Sequence, residues 1–127
     1  MYEEQYEAGR YVLHEHPLHA TSWQLRRMAD LMARPGVELA SGDQCQYGQT
    51  GGTDDPVKQP TGWMSNSPEI LAMLKLTCKS KAGGCTRAGG GEHRPCIGDV
   101  ARMAAIYPMN LCKAIIQGCR AQLRDWL

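Results

Sequence analysis

The sequence predicts an α/β chain, a partial sheet of about three strands followed by a helical C-terminal part. Three observations carry this. Tyr11, Val12 and Leu13 form a consecutive apolar run that suits a strand covered on both faces, as in a parallel sheet. Two further strand-like runs, Val37–Ala40 and Thr61–Asn66, are bounded by turn residues. Helical spacing of apolar residues then recurs at Trp23–Met32, Ile70–Leu76 and Leu111–Leu123.

Tyr2–Ala8 reads as the last turns of a helix that ends at Gly9. So short a helix is marginal alone, because nucleation is costly, and its start is expected upstream of Met1. Arg10–His16 is the first strand, ended by Pro17. Thr21 or Ser22 caps a helix carrying Trp23, Leu25, Met28, Leu31 and Met32, which Arg34-Pro35-Gly36 stops. Val37–Ala40 is the second strand, extended by Cys45–Tyr47 after an irregular Ser-Gly-Asp. Gly48–Lys58 is a polar loop. Pro60 precedes the third strand, where proline is better tolerated than inside one. The second and third strands should form a hairpin with a long connection. Ser67-Pro68-Glu69 starts a helix with a cap and a proline at the first helical position, and Ile70, Leu71, Leu74 and Leu76 supply its buried face. Asp99–Ile106 is a short helix, and Pro108 opens the last one, with Leu111, Ile115, Ile116, Cys119 and Leu123 on one stripe. Cys112 and Cys119 read as core thiols.

The strand–helix–strand order calls for a right-handed crossover and a parallel sheet. Three strands alone leave both sheet edges open, so the chain is expected to be a piece of a larger α/β domain. It divides into an α/β unit (1–77), a Gly/Cys-rich loop (78–98) and C-terminal helices (99–127). With a formal net charge of +1, nothing suggests a polyanion partner held by bulk charge. No apolar run approaches the ~20 residues that span a bilayer. The acidic start is unlike a signal peptide, so an intracellular setting, nuclear or cytoplasmic, is expected. In that setting the six cysteines read first as thiols or metal ligands.

Glu15, within His14-Glu15-His16-Pro17, stands at the carboxyl end of the first strand, where ligands of open α/β sheets bind. A carboxylate there can accept two donors from a flat heterocycle such as cytosine. The plainer reading is a strand-end carboxylate with solvent or a backbone donor. His14 and His16 point to the opposite face, as a packed pair or a His-X-His metal site.

Leu13–Pro17, then Gln44-Cys45-Gln46-Tyr47-Gly48, then Lys58–Asn66, taken in order, resemble the C-terminal half of cytosine-5 DNA methyltransferase-like domains. They also resemble regions of copia-type retroelement polyproteins of microbial eukaryotes. The likeness covers roughly residues 9 to 67. It implies a partial methyltransferase-like (Rossmann-like) sheet, with Glu15 as the carboxylate that contacts a flipped base. Gln44, Gln46, Tyr47 and Trp63 would then be substrate-binding residues on neighbouring strands. The chain departs from the family pattern at His16, where the family has Asn. It has no Gly-rich cofactor loop after a strand, and its only Pro-Cys, Pro95-Cys96, follows the Glu motif instead of preceding it. Transfer of a methyl group from S-adenosylmethionine to DNA cytosine is therefore expected only if a missing N-terminal half is supplied.

A further constellation is Cys78-X6-Cys85-X7-His93-X2-Cys96, in a segment with almost no apolar residues. Four soft or borderline ligands in a coreless loop fit a structural zinc, which would supply the folding energy that the loop lacks. The alternatives are a flexible loop of thiols or a single disulfide. If zinc binds, the chain is a small zinc-stapled module for protein or nucleic acid, without catalysis.

Overall fold

The computed structural model describes residues 1–80 and 84–126. The chain order is α1 (Tyr2–Glu7), β1 (Leu13–Pro17), a 3-10 turn (Thr21–Gln24), α2 (Arg26–Met32), β2 (Glu38–Asp43) and a second 3-10 turn (Gln44–Tyr47). Then follow β3 (Pro60–Ser65), α3 (Pro68–Met73), α4 (Gly98–Ala104) and α5 (Met109–Trp126). Part of the expected Gly-rich loop, residues 81–83, lies outside the described residues. Among them no helix is long and apolar enough to cross a membrane.

The sheet has the order β1-β3-β2, and both ladders are antiparallel. The hairpin of β2 with β3 is as expected. The parallel pairing is not: β1 and β2 run the same way, but β3 lies between them in the opposite sense. The misleading signal was the run Tyr11-Val12-Leu13, of which only Leu13 enters a strand. Val12 instead donates its N–H to Asn66 Oδ1 (2.9 Å), and Tyr11 is exposed. Burial on both faces belongs to β3 instead, where it comes from helices on either side of an antiparallel sheet.

On one face, Ala40, Tyr47 and Trp63 pack with Ile70, Leu71 and Leu74 of the α3 region and with Leu111 and Ala114 of α5. On the other, Met64 joins Leu31 and Val37, flanked by Tyr2, Tyr6, Trp23, Met28 and Met32. Strand alternation distributes the residues: Trp63 and Met64 are neighbours in β3 and face opposite layers. At Gly62 an added Cβ would meet the Trp23 ring at 2.8 Å, so glycine lets the indole pack closely against the strand. The Pro at the end of β1 is accommodated because β1 is an edge strand.

Local signals set the helix ends. Ser67 Oγ accepts from Ile70 N–H (3.2 Å), the cap that its sequence position called for. Ser67 also donates to Gln122 Oε1 (2.7 Å), which fastens the start of α3 to α5. α3 stops at Leu74, so Leu76 leaves the helix and is exposed. The helix expected from Thr21 is broken at Leu25, whose extended backbone separates the 3-10 turn from α2. The Cys45–Tyr47 extension of β2 is a 3-10 turn, not a strand. On α5, Leu111 is buried, but Ile116, Cys119 and Leu123 are exposed and Cys112 is half-buried, so the expected stripe is not all core.

Candidate metal centre

The turn Gln44–Tyr47 at the end of β2 drives Cys45 into the interior. Its backbone N–H donates to Lys58 O (3.4 Å), which fixes it beside the return strand. The chain leaving α3 passes the end of β2 at close range. Asp43 donates its N–H to Leu76 O (2.8 Å), and Asp43 Oδ2 accepts from Cys78 N–H (2.7 Å). Tyr47 clamps the same stretch, donating its hydroxyl to Met73 O (2.8 Å) and accepting from Leu76 N–H (3.2 Å). Gly42 permits the approach, since a Cβ there would stand 2.2 Å from Leu74 O. Gly42→Ala is therefore expected to cost about 1–3 kcal/mol by overpacking and to displace Cys78. Denaturant unfolding checks the first effect, and metal affinity checks the second. A neutral substitution would show that this contact yields freely.

The loop beyond Cys78 folds back on itself through a bridge between Gly84 and Glu92, with Cys85 N–H donating to Gly91 O (2.6 Å). Gly89, Gly90 and Gly91 all take positive φ (90°, 65° and 99°), so the return needs this glycine run. Arg87 donates to Gly90 O (2.7 Å) and Asp54 O (3.0 Å), and Arg94 pairs with Asp55 (2.6 Å). Arg94 N–H also donates to Pro56 O (2.8 Å), which sets the backbone next to His93 against the 54–57 segment.

Cys45, Cys78, Cys85 and His93 consequently converge, their ligand atoms all within 4.8 Å of one another. A tetrahedral zinc with Zn–S near 2.3 Å and Zn–N near 2.0 Å needs donor–donor edges of about 3.5–3.8 Å. The Cys78 Sγ to His93 Nε2 separation, 3.6 Å, already meets that. Hydrogen bonds surround the sulfurs as they do around metal thiolates. Gln46 Nε2 donates to Cys45 Sγ (3.4 Å) and Cys85 Sγ (3.7 Å), Arg87 N–H to Cys85 Sγ (3.4 Å) and Thr86 Oγ1 to Cys78 Sγ (3.6 Å). Burial pushes the Cys45 thiol up to about 12, against the pull of the Gln46 amide and with a push from Cys85 and Cys78. At Cys78 desolvation also pushes upward, but hydrogen bonds from Thr86, Ser80 and Cys45 bring it down to about 6. A thiolate is thus favoured at Cys78, whereas Cys45 needs a cation to hold its proton off. All six cysteines are unpaired, so no disulfide closes the loop.

Three of the four ligands expected from the Cys/His spacing are brought together. The fourth is Cys45, in place of Cys96. Cys96 is exposed, its Sγ donating to Gln59 Oε1 (3.4 Å) across a cleft of about 390 Å³ that His93 also lines. The His-X2-Cys spacing turns Cys96 away after Pro95, while the core offers a thiol from far upstream.

The residues expected around a flipped base are not gathered at one opening. Glu15 lies mid-strand opposite Trp63, half-buried. Burial, and then the charge and hydrogen bond of Glu15, raise the Tyr107 pKa above the ordinary phenol value, so this carboxylate already has a partner. Trp63 is 2% exposed, edge-on to Tyr107 at 5.9 Å. Gln44 donates to Thr61 Oγ1 (3.0 Å) and accepts from Gln49 (2.9 Å), both inside the core. Gln46 serves the thiols. His14 and His16 stack at 6.1 Å against Trp23, outside the metal cluster. Burial, with His16 adding to it and Glu15 opposing, lowers the His14 pKa, and Tyr2 Oη lies 2.8 Å from its Nδ1.

No protein-family model, curated protein or solved structure is matched by the chain.

Proposed function

We propose that the chain is a non-catalytic binding module whose 78–96 loop is stapled to the α/β core by one structural zinc on Cys45, Cys78, Cys85 and His93. The observation that carries this reading is the convergence of three sulfurs and one imidazole within 4.8 Å. Four protein ligands leave no open position for substrate or activated water, which is the mark of a structural site and not a catalytic one. The soft donor set favours zinc over the oxygen-seeking magnesium or calcium. Protein purified with zinc present should carry about one equivalent, and cobalt substitution should give a thiolate charge-transfer band with tetrahedral d–d transitions. A chelator should then raise amide exchange in residues 84–96 well before the sheet opens. Metal content at background would sink the reading.

A fragment of a cytosine-5 DNA methyltransferase-like domain is the second reading. Its support is that Glu15 and Trp63 are cross-strand partners on one face of the sheet. The Tyr107 hydrogen bond would have to open before Glu15 held a base. With an upstream half and S-adenosylmethionine supplied, Glu15→Gln should abolish DNA methylation while leaving the fold, and an unchanged rate removes this reading.

A further inference from the structure

α5 carries two apolar arcs, and the fold uses one. Leu111, Ala114 and Gly118 face inward, with the helices so close that a Cβ on Gly118 would lie 2.7 Å from Ile70 Cα. Beside that arc, Met109, Cys112, Ile116, Cys119 and Leu123 recur at alternating intervals of three and four. Met109, Ile116 and Leu123 are 69%, 53% and 57% exposed, and Cys119 is exposed as well. An apolar period of 3.5 residues is the seam of a coiled coil, not the broader arc of a helix lying on a sheet. Large residues alternate with small thiols along it, offering knobs at one set of positions and room for a neighbour's knobs at the other.

The charge along the seam is one-sided. Residues 109–124 include Lys113, Arg120 and Arg124 and no acid. At 100° per residue Lys113 and Arg120 border the seam, and among the described residues none of the three cations is ion-paired. From the seam and its basic border we propose that α5 docks an amphipathic helix of a partner protein whose own apolar seam is flanked by Asp and Glu. A second copy of this chain fits less well, because it would bring Lys113 and Arg120 against basic counterparts. An anionic membrane favours a broad apolar face with cations along both borders. Here the other border is the chain's own core.

The test uses two four-heptad peptides with Leu at both seam positions, one flanked throughout by Glu and one by Lys. Each repels its own copies and stays monomeric. Fluorescence anisotropy with the full chain should give a Kd of about 1–100 μM for the Glu peptide, weakening at least about tenfold between 50 and 500 mM salt. The Lys peptide should bind at least about tenfold more weakly. Ile116→Glu should abolish binding without changing the circular dichroism, since the side chain is exposed. The double variant Lys113→Glu, Arg120→Glu should reverse the preference toward the Lys peptide, an outcome that a folding defect does not produce. Equal affinity for both peptides, or none for either, overturns the proposal. So does a dimer that Ile116→Glu dissolves, or binding to anionic vesicles in place of the Glu peptide.

Discussion

Cys45→Ser should release the zinc and destabilise the chain by more than about 4 kcal/mol, a size exceptional for a single substitution and here ascribed to loss of the metal. Cys96→Ser, two residues from the end of the same loop, should leave metal content and stability within about 0.5 kcal/mol of the parent. The contrast follows from placement. Cys45 is buried at the end of β2, with its Sγ among the three other ligands, whereas Cys96 is exposed and faces Gln59. Serine is close to isosteric with cysteine, so neither substitution creates a large cavity, and the difference reports on ligation. Zinc content by elemental analysis and denaturant unfolding, run on both variants, decide it. The reverse ranking would assign the fourth position to Cys96. Equal, small effects would mean that no metal contributes to folding. On the proposed reading the loop would depend on the metal because it has little else: Cys85 is its one buried apolar residue among those described, and its arginine bridges to Asp54 and Asp55 are exposed.

Gln46→Ala is expected to act on the same centre more gently, weakening zinc by about 10–100-fold through loss of its donors to Cys45 and Cys85. A competition titration against a chromophoric chelator reads this directly, and an unchanged affinity would show that water replaces the amide without loss.

Features encoded within a few residues were legible. Ser67-Pro68 capped α3, the run from Pro60 gave β3, and Arg34-Pro35-Gly36 ended α2, because each rests on local backbone chemistry. Cys78, Cys85 and His93 were legible for a related reason, lying in one segment that has no core to account for them. Cys45 was not. Its neighbours in sequence are Gln44 and Gln46, and only the passage of residues 74–78 along β2 carries Cys78 to it. A buried small thiol and a ligand look the same until that contact is known. The sheet direction failed similarly: the apolar run Tyr11-Val12-Leu13 lies mostly outside β1, of which it supplies only Leu13, and it says nothing of the sense of the neighbouring strand. Periodicity also placed Ile116 and Leu123 in the core, because a stripe on α5 does not reveal how much of it α3 covers.

Trp63→Ala should cost about 3–5 kcal/mol, the range for removing a buried aromatic, and it should lower zinc affinity in the same variant. The first effect follows from the position of the ring. It is buried at the centre of the middle strand, opposite both Glu15 and Ala40, and meets Tyr107 edge-on. Its removal therefore loosens both edge strands and the approach of α5 together. Trp23→Ala should cost less, because that indole covers Gly62 from the outer layer and remains partly exposed. The second effect follows because β2 both packs against Trp63 through Ala40 and delivers Cys45 to the Cys/His cluster. A ligand on a loosened strand end binds more weakly, since the site is no longer held in place before zinc arrives. Unfolding curves with and without excess zinc separate the terms: the metal should recover part of the lost stability and not all of it. Full recovery would mean that the staple organises the core. No change in zinc affinity would mean that the 78–93 loop closes around the metal without help from the sheet.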